Sequence, residues 1–243
     1  MSKRYLFAAL ALVFLLGASG CALIDEYFLP PPDDTAQELY EKGMLDMQQK
    51  EYADAADSFT KIRDKFPFSS YATDAELALG DAYFLAGSYP AALDAYREFE
   101  SLHPAHEAIP YVLFQAGMSN YRMFRTIDVR QENITQGLEY FTRVRDEYPD
   151  SKYAAEAREY ILKSRRVLAD HELYVADFFW RTQRYGPAWH RYMYVRDNFA
   201  DLPDIREYAD RRAKGAYLEY QKTLSVEERE RQNGSWKQWF DWL

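Results

Sequence analysis

A glycine recurs at a fixed stride inside an amphipathic helical pattern: Gly43, Gly80 and Gly117 stand 37 residues apart. Glycine within a helix costs about 1 kcal/mol relative to alanine, so three at one interval mark places where helices cross closely. The rest of the pattern travels with them. From Tyr71, helical spacing runs to about Ala86 and Gly87 and Ser88 supply a turn. Tyr89, Ala92, Tyr96 and Phe99 then resume the spacing until Pro104 stops it. Thirty-seven residues before Tyr89, Ala92, Tyr96 and Pro104 stand Tyr52, Ala55, Phe59 and Pro67. A helix pair of this size cannot bury its apolar face alone, so the chain must stack copies into an all-α array.

The Leu79-Gly80, Tyr83, Ala92, Phe99 and Pro104 pattern resembles the tetratricopeptide (TPR) helix-turn-helix unit. A third repeat begins near Glu107, with Gly117 and Tyr121 on its first helix and Phe141 and Val144 on its second, and closes at Pro149. Pro104 to Pro149 spans 45 residues, so about eight extra residues separate its two helices, and the charged stretch RTIDVRQEN (125–133) is expected to project from the array. Ser151 to Tyr185 contains neither proline nor glycine and reads either as one helix of about 33 residues or as two with a break near Asp170. Tyr185, Ala188, Tyr192 and Val195 complete a fourth repeat, with Ala176 in the glycine position, and a degenerate fifth unit begins near Asp204 and carries Tyr217 and Tyr220. The expected fold is therefore all-α, a TPR solenoid of four to five repeats, with an N-terminal pair over 36–104 and C-terminal repeats over 105–224. Residues 225–243 form a charged, Trp-rich tail. Within it Trp236, Trp239, Phe240 and Leu243 share one helical face, suited either to capping the last open face of the array or to docking on a partner or a membrane interface.

Residues 1–20 read as an export signal: Lys3 and Arg4, an apolar run from Tyr5 to Leu16, then small residues. The run is too short for a stable membrane span. Ser19 and Gly20 before the lone Cys21 resemble a bacterial lipoprotein signal, with Ala18 where such signals usually carry leucine. The resemblance implies that Cys21 is acylated and becomes the first mature residue, a covalent lipid being the only attached group and no cofactor being required. Ala22, rather than aspartate, implies sorting to the outer membrane. Residues 21–35 include Pro30, Pro31 and Pro32 and form an extended spacer, after which Thr35 or Asp34 is placed to cap the first helix.

The formal charge of −9 falls to −11 once Lys3 and Arg4 leave with the signal. That balance disfavours nucleic acid or an anionic lipid surface as the main partner. A single cysteine excludes an internal disulfide. There is no glycine-rich phosphate loop, no GxSxG elbow and no HExxH pair, and His103 and His106 flank Pro104 as a turn rather than a metal pair. Recognition rather than catalysis fits these residues. One face of the first helices collects Tyr40, Met44 and Met47 from the first repeat, Leu77 and Phe84 from the second, and Phe114, Met118 and Tyr121 from the third. Methionine adapts to varied shapes and aromatic rings supply contact area, so this groove suits peptide segments with aromatic side chains. Phe68 and Tyr71 stand at the junction after the first repeat, where they fill the seam, meet an incoming segment, or do both.

KFPFSSY from Lys65 to Tyr71, HPAHEAIPYVLFQAG from His103 to Gly117 and YPDSKYA from Tyr148 to Ala154, with the signal and spacer, resemble the BamD (ComL) family of TPR lipoproteins. The resemblance implies a non-enzymatic role at the periplasmic face of the Gram-negative outer membrane, in folding and inserting β-barrel proteins. The N-terminal repeats would receive unfolded substrate through its C-terminal strand, which ends in an aromatic residue. The C-terminal half would bind the POTRA domains of BamA, and accessory Bam lipoproteins would join them. Two other classes fit the residues: a pilotin for a secretin or pilus, and a cell-wall enzyme or its regulator.

Overall fold

The computed structural model describes residues 34–224 and 226–233, so the signal, most of the spacer, Cys21 and the Trp-rich face of the tail lie outside the described residues. The first helix, α1 (Ala36–Gln49), starts where the spacer ends because Thr35 builds a capping box with Glu38. The Thr35 hydroxyl oxygen accepts from the Glu38 N–H at 3.2 Å, and the Thr35 N–H donates to the Glu38 carboxylate at 2.8 Å. Two otherwise orphaned backbone donors are thereby satisfied. α1 pairs with α2 (Tyr52–Lys65), α3 (Ala72–Leu85) with α4 (Tyr89–Leu102), and α5 (Ile109–Arg122) with α6 (Glu132–Glu147). α7 (Ala154–Arg181) pairs with α8 (Tyr185–Asn198), and α9 (Pro203–Thr223) precedes the short α10 (Val226–Asn233).

Each helix from α1 to α9 packs on the next, and first helices also touch across repeats at α1–α3 and α7–α9. This is the TPR-like solenoid expected from the stride. The glycines act as the spacing implied. A methyl added at Gly43 would meet the Phe59 ring at 2.6 Å, at Gly80 the Tyr96 ring at 2.6 Å, and at Gly117 the Phe141 ring at 2.7 Å. Each first helix thus accepts the aromatic ring of its own second helix into the gap where a side chain would stand.

The turns repeat as well. Seven residues after the glycine position, Lys50, Gly87 and Gln183 take left-handed backbone with φ of 64°, 76° and 60°, which closes one helix and launches the next. The third repeat has the longer loop in place of this turn. That loop does not simply project. The Gln131 side-chain amide donates to the Thr126 carbonyl at 2.9 Å, and His171 Nδ1 donates to the Ile127 carbonyl at 2.6 Å, so the loop is tied back to the middle of α7.

α7 resolves the alternative left open over 151–185: it is one continuous helix of 28 residues, shorter than 33. At 1.5 Å per residue it is about 42 Å long. Its first half contributes Ala157 and Ile161 to the core shared with α4–α6, and its second half contributes Ala169 and Ala176 to the C-terminal cores. One rigid element therefore belongs to both halves of the array.

Candidate peptide groove and the family

The residues expected along the groove separate into three groups. Phe68 is fully exposed and Met44 is 38% exposed. Tyr40, Met47, Tyr71, Leu77, Phe84 and Tyr121 are half-buried. Phe114 and Met118, at 5% and 6% exposure, belong to the core, which corrects their assignment to an open surface. For Phe114 the reason is the start of α7: Tyr153, the residue before the helix, stacks on Phe114 with centroids 5.7 Å apart, and Tyr160 within it packs edge-on at 5.9 Å; Met118 lies in the same buried cluster. Tyr160 also covers Tyr121 at 5.2 Å. The groove face is consequently closed at the third repeat and open at the first two.

Phe68 and Tyr71 divide the roles left open for them. Tyr71 fills the seam, its ring 5.3 Å from that of Tyr40, which in turn lies 6.0 Å from Phe59. Burial and the nearby Asp74 carboxylate push the Tyr40 hydroxyl above its ordinary pKa. Phe68 sits in the turn between α2 and α3, held away from this stack by the Ser69 N–H bond to the Phe66 carbonyl at 3.0 Å. A phenylalanine wholly in water beside a half-buried tyrosine pair offers about 1.5–3 kcal/mol to whatever covers it.

His103 and His106 are structural: Nε2 of His103 lies 2.6 Å from the Glu76 carboxylate, and Nδ1 of His106 accepts from the Ala108 N–H at 3.1 Å, at the start of α5.

The element that spacing arguments missed is polar. Asp81, directly after Gly80, accepts hydrogen bonds from the hydroxyls of Tyr96 and Tyr111, each at 2.7 Å. Burial raises its carboxyl pKa above the ordinary aspartate range, and the two tyrosine hydrogen bonds oppose that rise. The same arrangement recurs at Asp177, bonded by Tyr192 and by Tyr208 at 3.4 Å. The signal was present in the sequence: Asp81 to Tyr96 and Asp177 to Tyr192 are both 15 residues.

Successive helix pairs packed one on the next, with an aromatic-lined first-helix face, define a TPR-like helical scaffold; no helix among the described residues is long and apolar enough to cross a membrane. The particular kind of scaffold follows from comparison with known proteins. The model of the YfiO family of outer-membrane lipoproteins matches residues 32–231, and the chain belongs to that family. Among its relatives, the outer membrane protein assembly factor BamD of Vibrio cholerae is 24% identical over 217 residues, covering 85% of this chain and 88% of the relative. BamD of Rickettsia prowazekii is 29% identical over 161 residues, covering 66% and 64%. BamD of Pasteurella multocida is 27% identical over 187 residues, covering 73% and 69%.

Proposed function

We propose that this chain is a non-enzymatic outer-membrane assembly factor of the BamD type, anchored by lipid on Cys21 and holding unfolded β-barrel polypeptides in the open groove of its first two repeats. Family membership supports the compartment and the class of work. The observation that carries the peptide-binding reading is the exposed Phe68 beside the Tyr40–Tyr71 stack, with Met44 open on the adjoining helix. An extended segment ending in an aromatic side chain would cover Phe68 and lie along Met44 and Phe84. Binding a strand this way leaves its sequence largely free, because adaptable methionine and flat rings impose little shape.

The C-terminal half suits a different task. Its helices are joined by ion pairs: Arg166 of α7 with Asp204 of α9 at 2.9 Å, Arg196 of α8 with Asp210 of α9 at 3.8 Å, and Arg165 of α7 with Asp201 in the turn between α8 and α9. α7 keeps Tyr174 and Phe178 exposed one turn apart, and α8 keeps Tyr194 exposed. A rigid surface with a few exposed aromatic anchors fits a folded partner, and the POTRA domains of BamA are the partner proposed, with accessory Bam lipoproteins in the same complex.

The test places a photo-crosslinking amino acid at position 68 and, in a second strain, at position 178 of the full-length lipoprotein in cells. Outer-membrane β-barrel chains captured at 68 and a BamA-type protein captured at 178 would support the assignment. Recovery of a secretin without any BamA-type protein would overturn it in favour of a pilotin.

A further inference from the structure

The two carboxylate–tyrosine units are the same construction in successive stages of completion. In the fourth repeat Asp177 is bonded by Tyr192 and Tyr208, and the set is closed by Arg212. The Arg212 guanidinium lies 3.2 Å from the Asp177 carboxylate, donates to the Tyr192 hydroxyl oxygen at 3.0 Å, and sits over the Trp180 ring at 4.7 Å. In the second repeat Asp81 takes the place of Asp177, Tyr96 of Tyr192 and Tyr111 of Tyr208. The aromatic shelf is kept: Phe84 stands three residues after Asp81 as Trp180 stands three after Asp177. The arginine is not kept. Four residues after Tyr208 comes Arg212, and four after Tyr111 comes Gln115, whose amide donates to the Tyr111 hydroxyl at 3.2 Å.

Among the described residues, no cation pairs with Asp81. Its Oδ1 accepts from both tyrosines, leaving Oδ2 with no donor among those residues. The Tyr111 hydroxyl oxygen already accepts from Gln115, and each tyrosine hydroxyl that donates to Asp81 has acceptor capacity on its oxygen, as Tyr192 uses when it accepts from Arg212. Burial disfavours the ionised carboxylate, and a neighbouring cation is what would restore it. Phe84 is half-buried on the open part of the groove, so the missing group can arrive from outside the chain.

We infer that Asp81, Tyr96, Tyr111 and Phe84 form a guanidinium socket that takes an arginine side chain from the polypeptide held in the groove. Arginine rather than lysine fits, since the planar fork both stacks on a ring and spans carboxylate and hydroxyl acceptors, as Arg212 does in the filled copy. The inference rests on the peptide-groove reading for its source of arginine, and it adds a charge requirement to a groove that is otherwise apolar.

The test uses the detergent-solubilised full-length lipoprotein and two extended ten-residue peptides ending in phenylalanine, one with arginine and one with the uncharged isostere citrulline at the same position. The arginine peptide is expected to bind the wild type about tenfold more tightly than the citrulline peptide, the effect of one charge-assisted contact, and this ratio is expected to fall to near one in Asp81→Asn. Gln115→Arg fills the socket from within and is expected to abolish the discrimination as well. An arginine-to-citrulline ratio that is the same in wild type and Asp81→Asn overturns the socket. A second measurement separates it from the groove: N-acetyl-arginine amide is titrated against ring-labelled tyrosine while the Tyr96 and Tyr111 resonances are followed. If neither peptide binds but these resonances move in wild type and not in Asp81→Asn, the groove reading falls and the socket stands. If the resonances do not move and no arginine preference is seen, the socket falls.

Discussion

Replacing Gly80 with alanine sets two effects of known sign against each other. Removing a glycine from a helix interior is worth about 1 kcal/mol in propensity. The added methyl, however, would stand 2.6 Å and 2.8 Å from two carbons of the Tyr96 ring. That ring is 1% exposed and its hydroxyl is held on Asp81, so it cannot swing aside without breaking a buried hydrogen bond. The remaining response is for α3 and α4 to part, and overpacking of this kind costs about 1–3 kcal/mol. Because both ways out are blocked, the upper end applies, and the net loss is about 1–2 kcal/mol. In a chain of this size that lowers Tm by roughly 2–8 °C. Gly215→Ala in α9 is the control, because the nearest heavy atom to its new methyl is a Trp180 carbon at 3.8 Å, ordinary contact. It should raise Tm by roughly 2–4 °C. Thermal unfolding followed by circular dichroism at 222 nm measures both. A Gly80→Ala variant that melts above wild type would refute the claim that this stride marks obligatory close crossings.

Phe68→Ser should leave stability within about 0.5 kcal/mol of wild type, since Phe68 is fully exposed, while weakening aromatic-ended peptides about tenfold or more by fluorescence anisotropy; equal affinity would remove Phe68 from the groove. Asp81→Asn should be at least as stable as wild type at pH 7, since Asn keeps an acceptor for Tyr96 and Tyr111 and carries no buried charge. With the native carboxyl raised above 3.8 by burial, folding takes up a proton as pH falls, so the wild-type handicap is present above the native pKa and disappears as pH drops towards 3.8. Urea denaturation at pH 7 and pH 4 reads that difference, and a gap that widens in acid contradicts it. The groups bonded to Asp81 are the Tyr96 and Tyr111 hydroxyls, with the Gln115 amide on Tyr111; both hydroxyls are pushed above their ordinary pKa, so neither changes charge between pH 4 and 7. Cys21→Ser should release the chain to the soluble periplasmic fraction; persistence in the membrane fraction would argue against lipid anchoring.

Repetition explains which parts of this molecule are legible without coordinates. Gly43, Gly80 and Gly117 each meet a ring in their own repeat, so a single spacing rule recovers three crossings at once. Thr35 and the left-handed turn at Gly87 are equally local. What escaped depends on residues far along the chain. Phe114 and Met118 occupy the same register as Leu77 and Asp81 and as Tyr40 and Met44, none of which is fully buried, and Phe114 becomes core where Tyr153, at the start of α7, and Tyr160 within it pack on its ring. The inserted loop has the composition of a projecting one, yet His171, 44 residues past Ile127, holds it down. Periodicity reports the side of a helix and not what later covers that side.

The residue after each glycine position follows the ring that it faces. Where the second helix offers Phe59 or Phe141, the neighbour is Met44 or Met118; where it offers Tyr96 or Tyr192, the neighbour is Asp81 or Asp177. A tyrosine hydroxyl at that depth must find an acceptor, whereas a phenylalanine ring needs only contact. The array therefore alternates dry and polar crossings, and the two polar ones have opposite fates. At the fourth repeat Arg212 closes the unit from within, and the adjoining helices are stapled by further ion pairs. At the second repeat the same unit has no internal arginine, and Gln115 stands where Arg212 stands in the fourth. Under the proposed function, the unit completed from within lies in the half proposed to hold a folded partner, and the uncompleted one lies in the half proposed to receive a chain that has not yet folded.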